Sequence, residues 1–332
     1  MIFKNIEFHN VDELTQNADG SYAMHRTPVS VEEKLSEHNG SQMNRNNVGI
    51  ELRFVMKSDT VKLRFKCSEE SNIVPVTIFA GDLYQSQNNY ITREVSEIVI
   101  DRKMLDPTNH NADAYKRFDP LFDLSVVRVL LQRGYVDFID VEGEVEPPTA
   151  DLLPAKKIFA YGSSITSAAG AYTIESGYCP LTAHALGYDV ILKGYPGACC
   201  LQKEMAEYIA KQDFDFAILE LGVNILCVGV EEFGIRLTRL LKIVSEAHPD
   251  KKLFLISPFF MWDDYFVGRA AELFRREFTR VLNELKLPNA IYIDGMTLFG
   301  NPRYLQTDTV HPDPRGHYAI AERLTKIIKD YI

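Results

Sequence analysis

Five short apolar stretches in the second half of the chain, KIFAYG (157–162), YDVILKG (188–194), FAILELG (216–222), KLFLIS (252–257) and AIYID (290–294), alternate with stretches of helical pattern. The helices are expected near 176–186, 200–212, 230–247, 265–286 and 315–331. In EFGIRLTRLLKIVSEAH, apolar residues fall at Ile235, Leu237, Leu240, Leu241 and Val244, close to a 3.6-residue period. A tight turn cannot return a chain to a parallel strand, but a helical crossover can. Repeated strand–helix units therefore imply a parallel sheet covered on both faces. Such sheets bind ligands beyond the carboxyl ends of their strands, which is where chemistry is to be sought.

The first half has a different rhythm. VKLRFK (61–66) alternates Val61, Leu63 and Phe65 with Lys62, Arg64 and Lys66, and GIELRFVM (49–56) does the same with Ile50, Leu52 and Phe54. NIVPVTIFA, SEIVI, LSVVRVLL and GYVDFIDV are further strand candidates, separated by turn-rich pieces such as DLYQSQNNY and DPTNHNAD. Period-two alternation with polar turns points to an antiparallel sandwich with one wet face per sheet. LSVVRVLLQ (124–132) could instead form a short helix. In VEGEVEPPTADLLPA, Pro147, Pro148 and Pro154 can continue neither a central strand nor a helix interior. The expected organisation is a β-sandwich over 1–146, a linker over 147–155 and an α/β domain over 156–332. The segment 23–44 is read as an ordered arm over the second domain, with Arg26 and His25 as candidate substrate contacts.

Length and charge narrow the function. At 332 residues two domains are the natural expectation, and 46% apolar with 25% charged residues is ordinary for a globular protein. A net charge of −10 offers a nucleic acid backbone or an anionic membrane little attraction. The most apolar segment, FAILELGVNILCVGV (216–230), is too short to span a bilayer and contains Glu220. The amino terminus lacks the basic-then-apolar pattern of a secretory leader. Five cysteines without paired spacing point to reduced thiols rather than a disulfide frame or a zinc site, so a cytoplasmic location is expected.

Four short motifs stand at the strand ends and before the last helix: Gly162-Ser163-Ser164-Ile165-Thr166, Gly194-Tyr195-Pro196-Gly197-Ala198, Glu220-Leu221-Gly222-Val223-Asn224 and Asp308-Thr309-Val310-His311-Pro312. Acyl transfer needs a hydroxyl nucleophile, a neutral imidazole to take its proton, a group that fixes the imidazole tautomer, and donors for the oxyanion. A serine just after a strand, an Asp three residues before a His, a glycine N–H and an Asn amide are suitable for each need. Alone, each has a bland reading. Paired serines are turn or cap residues, Gly197 is a turn glycine needing positive φ, and Asn224 is a loop amide bonding its own backbone. The DTVHPDPRGH segment could cap the last helix, or present Asp308, His311, Asp313 and His317 to a metal, though the two-His helical spacing is missing. Joint occurrence, in this order and at consecutive strand ends, is what favours the catalytic reading.

With these four blocks the chain resembles the SGNH/GDSL hydrolase superfamily over residues 156–332. GSSIT matches the serine block, GYPGA the glycine block, ELGVN the GxN block and DTVHP the DxxH block. The resemblance implies a flavodoxin-like three-layer α/β/α domain with a five-stranded parallel sheet, preceded by a jelly-roll-like sandwich. It implies Ser164 as nucleophile, His311 and Asp308 as its partners, and an oxyanion hole formed by Ser164, Gly197 and Asn224. Two positions depart from the pattern: the usual Asp of GDS is Ser163, and the Asp that often follows the GxN asparagine is Ile225.

The expectation is a serine esterase acting on a short-chain ester, acetyl being favoured, on a sugar-type alcohol, with no metal and no organic cofactor. An acyltransferase with the same site and a sugar-binding module with a degenerate hydrolase body are its rivals. The sandwich could help frame the substrate, or equally cover apolar surface or build a dimer contact. Trp262, in the aromatic run FFMWDDYF (259–266), either packs under a loop or lines an acyl or sugar pocket, Cys199 is read as a small apolar packing residue or a pocket residue, and Arg26 is a further candidate contact. Ser163 is read as bonding neighbouring backbone, Glu220 as bonding loop backbone or pairing with an Arg or Lys, and His317 as a cap or surface residue.

Overall fold

The computed structural model describes residues 1–105, 112–117, 119–266 and 269–332. It divides into two units, Met1–Val29 with Asn44–Ala155, and Ser30–Met43 with Lys156–Ile332.

The first unit is a β-sandwich. One antiparallel sheet runs in the order Ile2–Phe3, Ile6–His9, Glu51–Met56, Val126–Leu131, Ile73–Ala80, Leu83–Thr92, and Val145–Glu146 also pairs with Glu51–Met56. The other runs Glu13–Gln16, Tyr22–His25, Val136–Glu142, Thr60–Cys67, Ser96–Asp101. The alternation of 61–66 is realised as expected: Val61, Leu63 and Phe65 are fully buried, while Lys62 pairs with Glu142 and Arg64 with Glu97 and Glu142 on neighbouring strands. Phe138 joins the two inner faces, with ring centroids 5.1 Å from Phe8 and 5.6 Å from Phe65. Burying such side chains contributes roughly 1.5–3 kcal/mol each.

One open alternative is decided here and one turn reading changes. Residues 124–132 form no helix: Val126–Leu131 is a central strand, bonded on one edge to Glu51–Met56 and on the other to Ile73–Ala80. DLYQSQNNY is not a turn but most of the strand Leu83–Thr92, an edge strand paired with Ile73–Ala80. The 147–155 stretch falls within Asn44–Ala155 of the first unit, and Asp123 donates its N–H to the carbonyl of Leu152 at 3.0 Å. Most of DPTNHNAD lies outside the described residues.

The second unit is a three-layer α/β/α domain. Its strands are Lys157–Gly162 (β1), Asp189–Gly194 (β2), Phe216–Glu220 (β3), Lys252–Ile256 (β4) and Ala290–Ile293 (β5), all parallel, in the order β2-β1-β3-β4-β5. The longer helices are Tyr178–Leu186 (α1), Lys203–Ile209 (α2), Val230–Ala247 (α3), Ala270–Leu285 (α4) and Pro314–Lys329 (α5). Alternate strand residues serve opposite faces. Phe159, Tyr161, Ala217, Leu219, Leu253 and Leu255 share a core with Met205 of α2, Leu237 and Leu240 of α3, and Phe274 and Phe278 of α4. Helices α1 and α5 pack together as the other layer. In α3 the buried stripe is Phe233, Leu237, Leu240, Leu241 and Val244; Ile235, expected within it, is 55% exposed. Helix α5 starts at Pro314 and is capped by Asp313, whose side chain accepts the N–H of Gly316 at 3.0 Å. No helix among the described residues is long and apolar enough to cross a membrane.

Candidate active site

The strand order sets the site. β1 and β3 are adjacent and β2 flanks β1, so the turns that follow them open at one edge of the sheet. Gly162 pairs with Gly194 in register, and Tyr195 donates its N–H to the Gly162 carbonyl at 2.8 Å. This bond ties the serine turn to the turn bearing Gly197. Gly197 has φ +69°, the left-handed region that an L side chain enters at a cost, in the turn closed by Ala198 N–H to Tyr195 O at 3.0 Å.

Ser164 Oγ lies 2.7 Å from His311 Nε2. On the other side of the ring, His311 Nδ1 lies 2.7 Å from Asp308 Oδ2. The remaining Asp308 oxygen, Oδ1, accepts the N–H groups of Val310 at 2.9 Å and His311 at 3.0 Å. The three-residue spacing thus folds the carboxylate back over its own loop, and the carboxylate orients both backbone and ring. With Nδ1–H committed to Asp308, the network assigns the lone pair to Nε2, which can accept the Ser164 hydroxyl proton. Burial works against the Asp308 carboxylate, but the two N–H groups and the His311 ring outweigh it and hold its pKa below the usual range. The loop is further pinned by Trp262, which donates its N–H to the carbonyl of Thr309 at 3.0 Å.

Three N–H donors are poised at the same edge. Among the described residues, the backbone N–H groups of Ser164 and Gly197 have no acceptor. Asn224 Oδ1 accepts the N–H of Cys199 at 3.1 Å, which orients the amide and leaves Nδ2 as its donor. Cys199 itself is buried, and burial, then the nearby Glu220 carboxylate, push its thiol well above the usual range. It contributes its backbone rather than a thiolate. Trp262 is 44% exposed. Arg26 belongs to the first unit, where its side chain is fully buried.

Ser163 and Glu220 both bond backbone of the serine turn, which decides between the two readings of Glu220. Ser163 Oγ accepts the N–H of Ile165 at 3.1 Å, and Glu220 Oε2 accepts the N–H of Ser163 at 2.8 Å. His317 corrects the reading as a cap or surface residue: it is fully buried in α5. Its Nδ1 accepts the N–H of Tyr178 at 3.3 Å and its Nε2–H donates to the carbonyl of Ala169 at 2.9 Å, so it braces the serine turn. Thr166 and Tyr178, bonded at 2.8 Å and both buried, were not singled out by sequence. Thr166 stands in the GSSIT motif, which was the available signal; Tyr178 had none.

Residues 160–319 match the GDSL-like Lipase/Acylhydrolase family. No curated protein matches the chain. Among solved structures, a salicylyl-acyltransferase, SsfX3, from a tetracycline biosynthetic pathway is similar over 99% of this chain and 96% of its own, at 19% identity and a TM-score of 0.77. A family two carbohydrate esterase from Cellvibrio japonicus covers 98% and 95%, at 15% identity and a TM-score of 0.64. An acetyl xylan esterase, Est2A, from the rumen bacterium Butyrivibrio proteoclasticus covers 99% and 96%, at 13% identity and a TM-score of 0.60. At these identities the likeness establishes the fold, and it extends through the sandwich as well as the α/β unit. Residues 160–319 are therefore a domain of the GDSL-like lipase/acylhydrolase family, in a chain that also carries an N-terminal β-sandwich.

Proposed function

We propose that the protein is a serine esterase that hydrolyses a short-chain ester, acetyl being favoured, of a carbohydrate or other small polar alcohol. The observation that carries this reading is the unbroken chain from Ser164 Oγ through the His311 ring to Asp308, with 2.7 Å at each link. Ser164 Oγ attacks the ester carbonyl as Nε2 of His311 takes its proton. The carbonyl oxygen becomes an oxyanion that receives N–H bonds from Ser164, Gly197 and the Asn224 side chain. Asp308 stabilises the imidazolium without taking the proton. As the tetrahedral intermediate collapses, the C–O bond to the alcohol breaks and Nε2–H protonates the departing alkoxide. Water, deprotonated by the same nitrogen, then attacks the acyl-Ser164 ester, and the acid leaves with Ser164 Oγ reprotonated. The sugar-type alcohol is supported by two neighbours described as carbohydrate and acetyl xylan esterases.

A second reading keeps the site and replaces water by another acceptor. It is favoured by the acyltransferase neighbour, whose likeness spans almost the whole of both chains. Hydrolysis of p-nitrophenyl acetate by the wild type and by folded Ser164→Ala tests the esterase reading. We expect turnover by the first and background by the second; equal activity would overturn it. Adding alcohols and amines and measuring how the acyl group partitions between them and water separates the two readings.

A further inference from the structure

Glu220 ends β3, an otherwise apolar strand, FAILE, and its side chain is fully buried. A carboxylate in that position is costly unless its bonds repay the desolvation. Its bonds go to one place. Oε1 has no hydrogen-bond partner, whereas Oε2 accepts both the N–H of Ser163 at 2.8 Å and the hydroxyl of Thr166 at 3.1 Å. Because Thr166 Oγ1 donates to Glu220, its 2.8 Å bond with Tyr178 must take the tyrosine hydroxyl as donor, which gives a directed chain from Tyr178 through Thr166 to Glu220. The fold also keeps room for this oxygen: a Cβ added at Gly162 would meet Thr166 Oγ1 and would come within 2.8 Å of Glu220 Oε2.

The segment so held is the turn that carries Ser164. It lies outside any regular helix or strand and includes Ala168 at φ +60°, so side chains and turn bonds must fix it. From the other side Ala169 donates its N–H to Ser164 O at 2.8 Å, while Ala169 O is held by His317. Burial raises the Glu220 pKa, and its bonds from Ser163 and Thr166, with the nearby His311, oppose that rise.

We propose that Glu220 is a positioning residue for the nucleophile: by accepting from Ser163 and Thr166 it fixes the backbone that aims both Ser164 Oγ and the Ser164 N–H. This rests on the esterase reading above. The role needs an acceptor at Oε2 rather than a negative charge, so glutamine should fill it and alanine should not. A misplacement of about 1 Å at a reacting group costs on the order of 10²-fold in rate.

The test compares wild type, Glu220→Gln, Glu220→Ala, Thr166→Val and Ser164→Ala on p-nitrophenyl acetate, with circular dichroism and melting temperature for each. We expect Glu220→Ala to lose about 10²-fold in kcat with KM within about threefold, and Glu220→Gln to stay within about fivefold of wild type. Thr166→Val, which removes one of the two donors, should lose about tenfold in kcat and serves as the positioning variant if Glu220→Ala does not fold. Wild-type kcat in Glu220→Ala, or in Thr166→Val when Glu220→Ala does not fold, would overturn the proposal, as would a glutamine variant no more active than the alanine one. If Ser164→Ala keeps full activity, the esterase reading itself fails, a result distinct from either.

Discussion

Replacing Asn224 by alanine removes the side-chain donor assigned to the oxyanion and also the acceptor of the Cys199 N–H bond at 3.1 Å. The two losses appear in different measurements. Loss of one preorganised oxyanion donor costs about 3 kcal/mol in the transition state, or on the order of 10²–10³ in kcat, with little change in KM. Loss of the Cys199 bond costs about 1 kcal/mol of stability. Asn224→Asp separates them, because a carboxylate still accepts from Cys199 but offers no N–H and sets a negative charge where one develops. With p-nitrophenyl acetate we therefore expect Asn224→Asp to be at least as inactive as Asn224→Ala, yet closer to wild type in melting temperature. A kcat for Asn224→Ala within about threefold of wild type would refute the oxyanion assignment, since a donor made only in the transition state cannot be lost so cheaply.

Asp308→Asn should keep the loop fold, because an amide oxygen can still accept from Val310 and His311, but it removes the charge that fixes the ring; we expect kcat to fall about 10³-fold, toward the smaller end of such effects because the Asp308 side chain is 45% exposed, and a loss under tenfold would contradict its role. In the first unit, burial alone would raise the Glu51 carboxyl, but Arg128 and Arg53 outweigh it and hold its pKa at about 2, against an ordinary 4.5. A pKa lowered by folding stabilises fully above the unfolded value and is lost as pH falls, so about 3 kcal/mol should disappear between about pH 4.5 and 2. Urea unfolding of wild type and Glu51→Gln across this range checks it: the gap between them should shrink toward pH 2, and parallel curves would exclude the effect.

What the sequence discloses and what it hides follow from the range of the interactions. The five parallel strands announce themselves as apolar runs with helical stretches between them, and their carboxyl ends locate Ser164, Gly197 and Asn224 before any contact is known. The Asp308–His311 pair is local, so its mutual geometry is legible from three-residue spacing. VVRVLL was ambiguous because a strand paired on both edges shows a continuous apolar run, which periodicity cannot tell from a short helix. LYQSQNNYIT hid as a turn because its pairing with Ile73–Ala80, not its own propensity, makes it a strand. Glu220 stood out as an acid in an apolar strand, but its partners lie more than fifty residues away in sequence, at Ser163 and Thr166. His317 read as a cap or surface residue because its burial comes from tertiary packing, with its ring bonded to Tyr178 of α1 and to Ala169 of the serine turn.

The most direct measurement is covalent capture. A fluorophosphonate reacts with a serine only where a base activates it and an oxyanion site receives the phosphoryl oxygen. Labelling the wild type, Ser164→Ala and His311→Ala, followed by peptide mapping by mass spectrometry, reads out nucleophile and base together. We expect a single adduct on Ser164 in the wild type, none in Ser164→Ala, and labelling slowed by orders of magnitude in His311→Ala. An adduct on another residue, or equal labelling of the wild type and Ser164→Ala, would contradict Ser164 as the nucleophile.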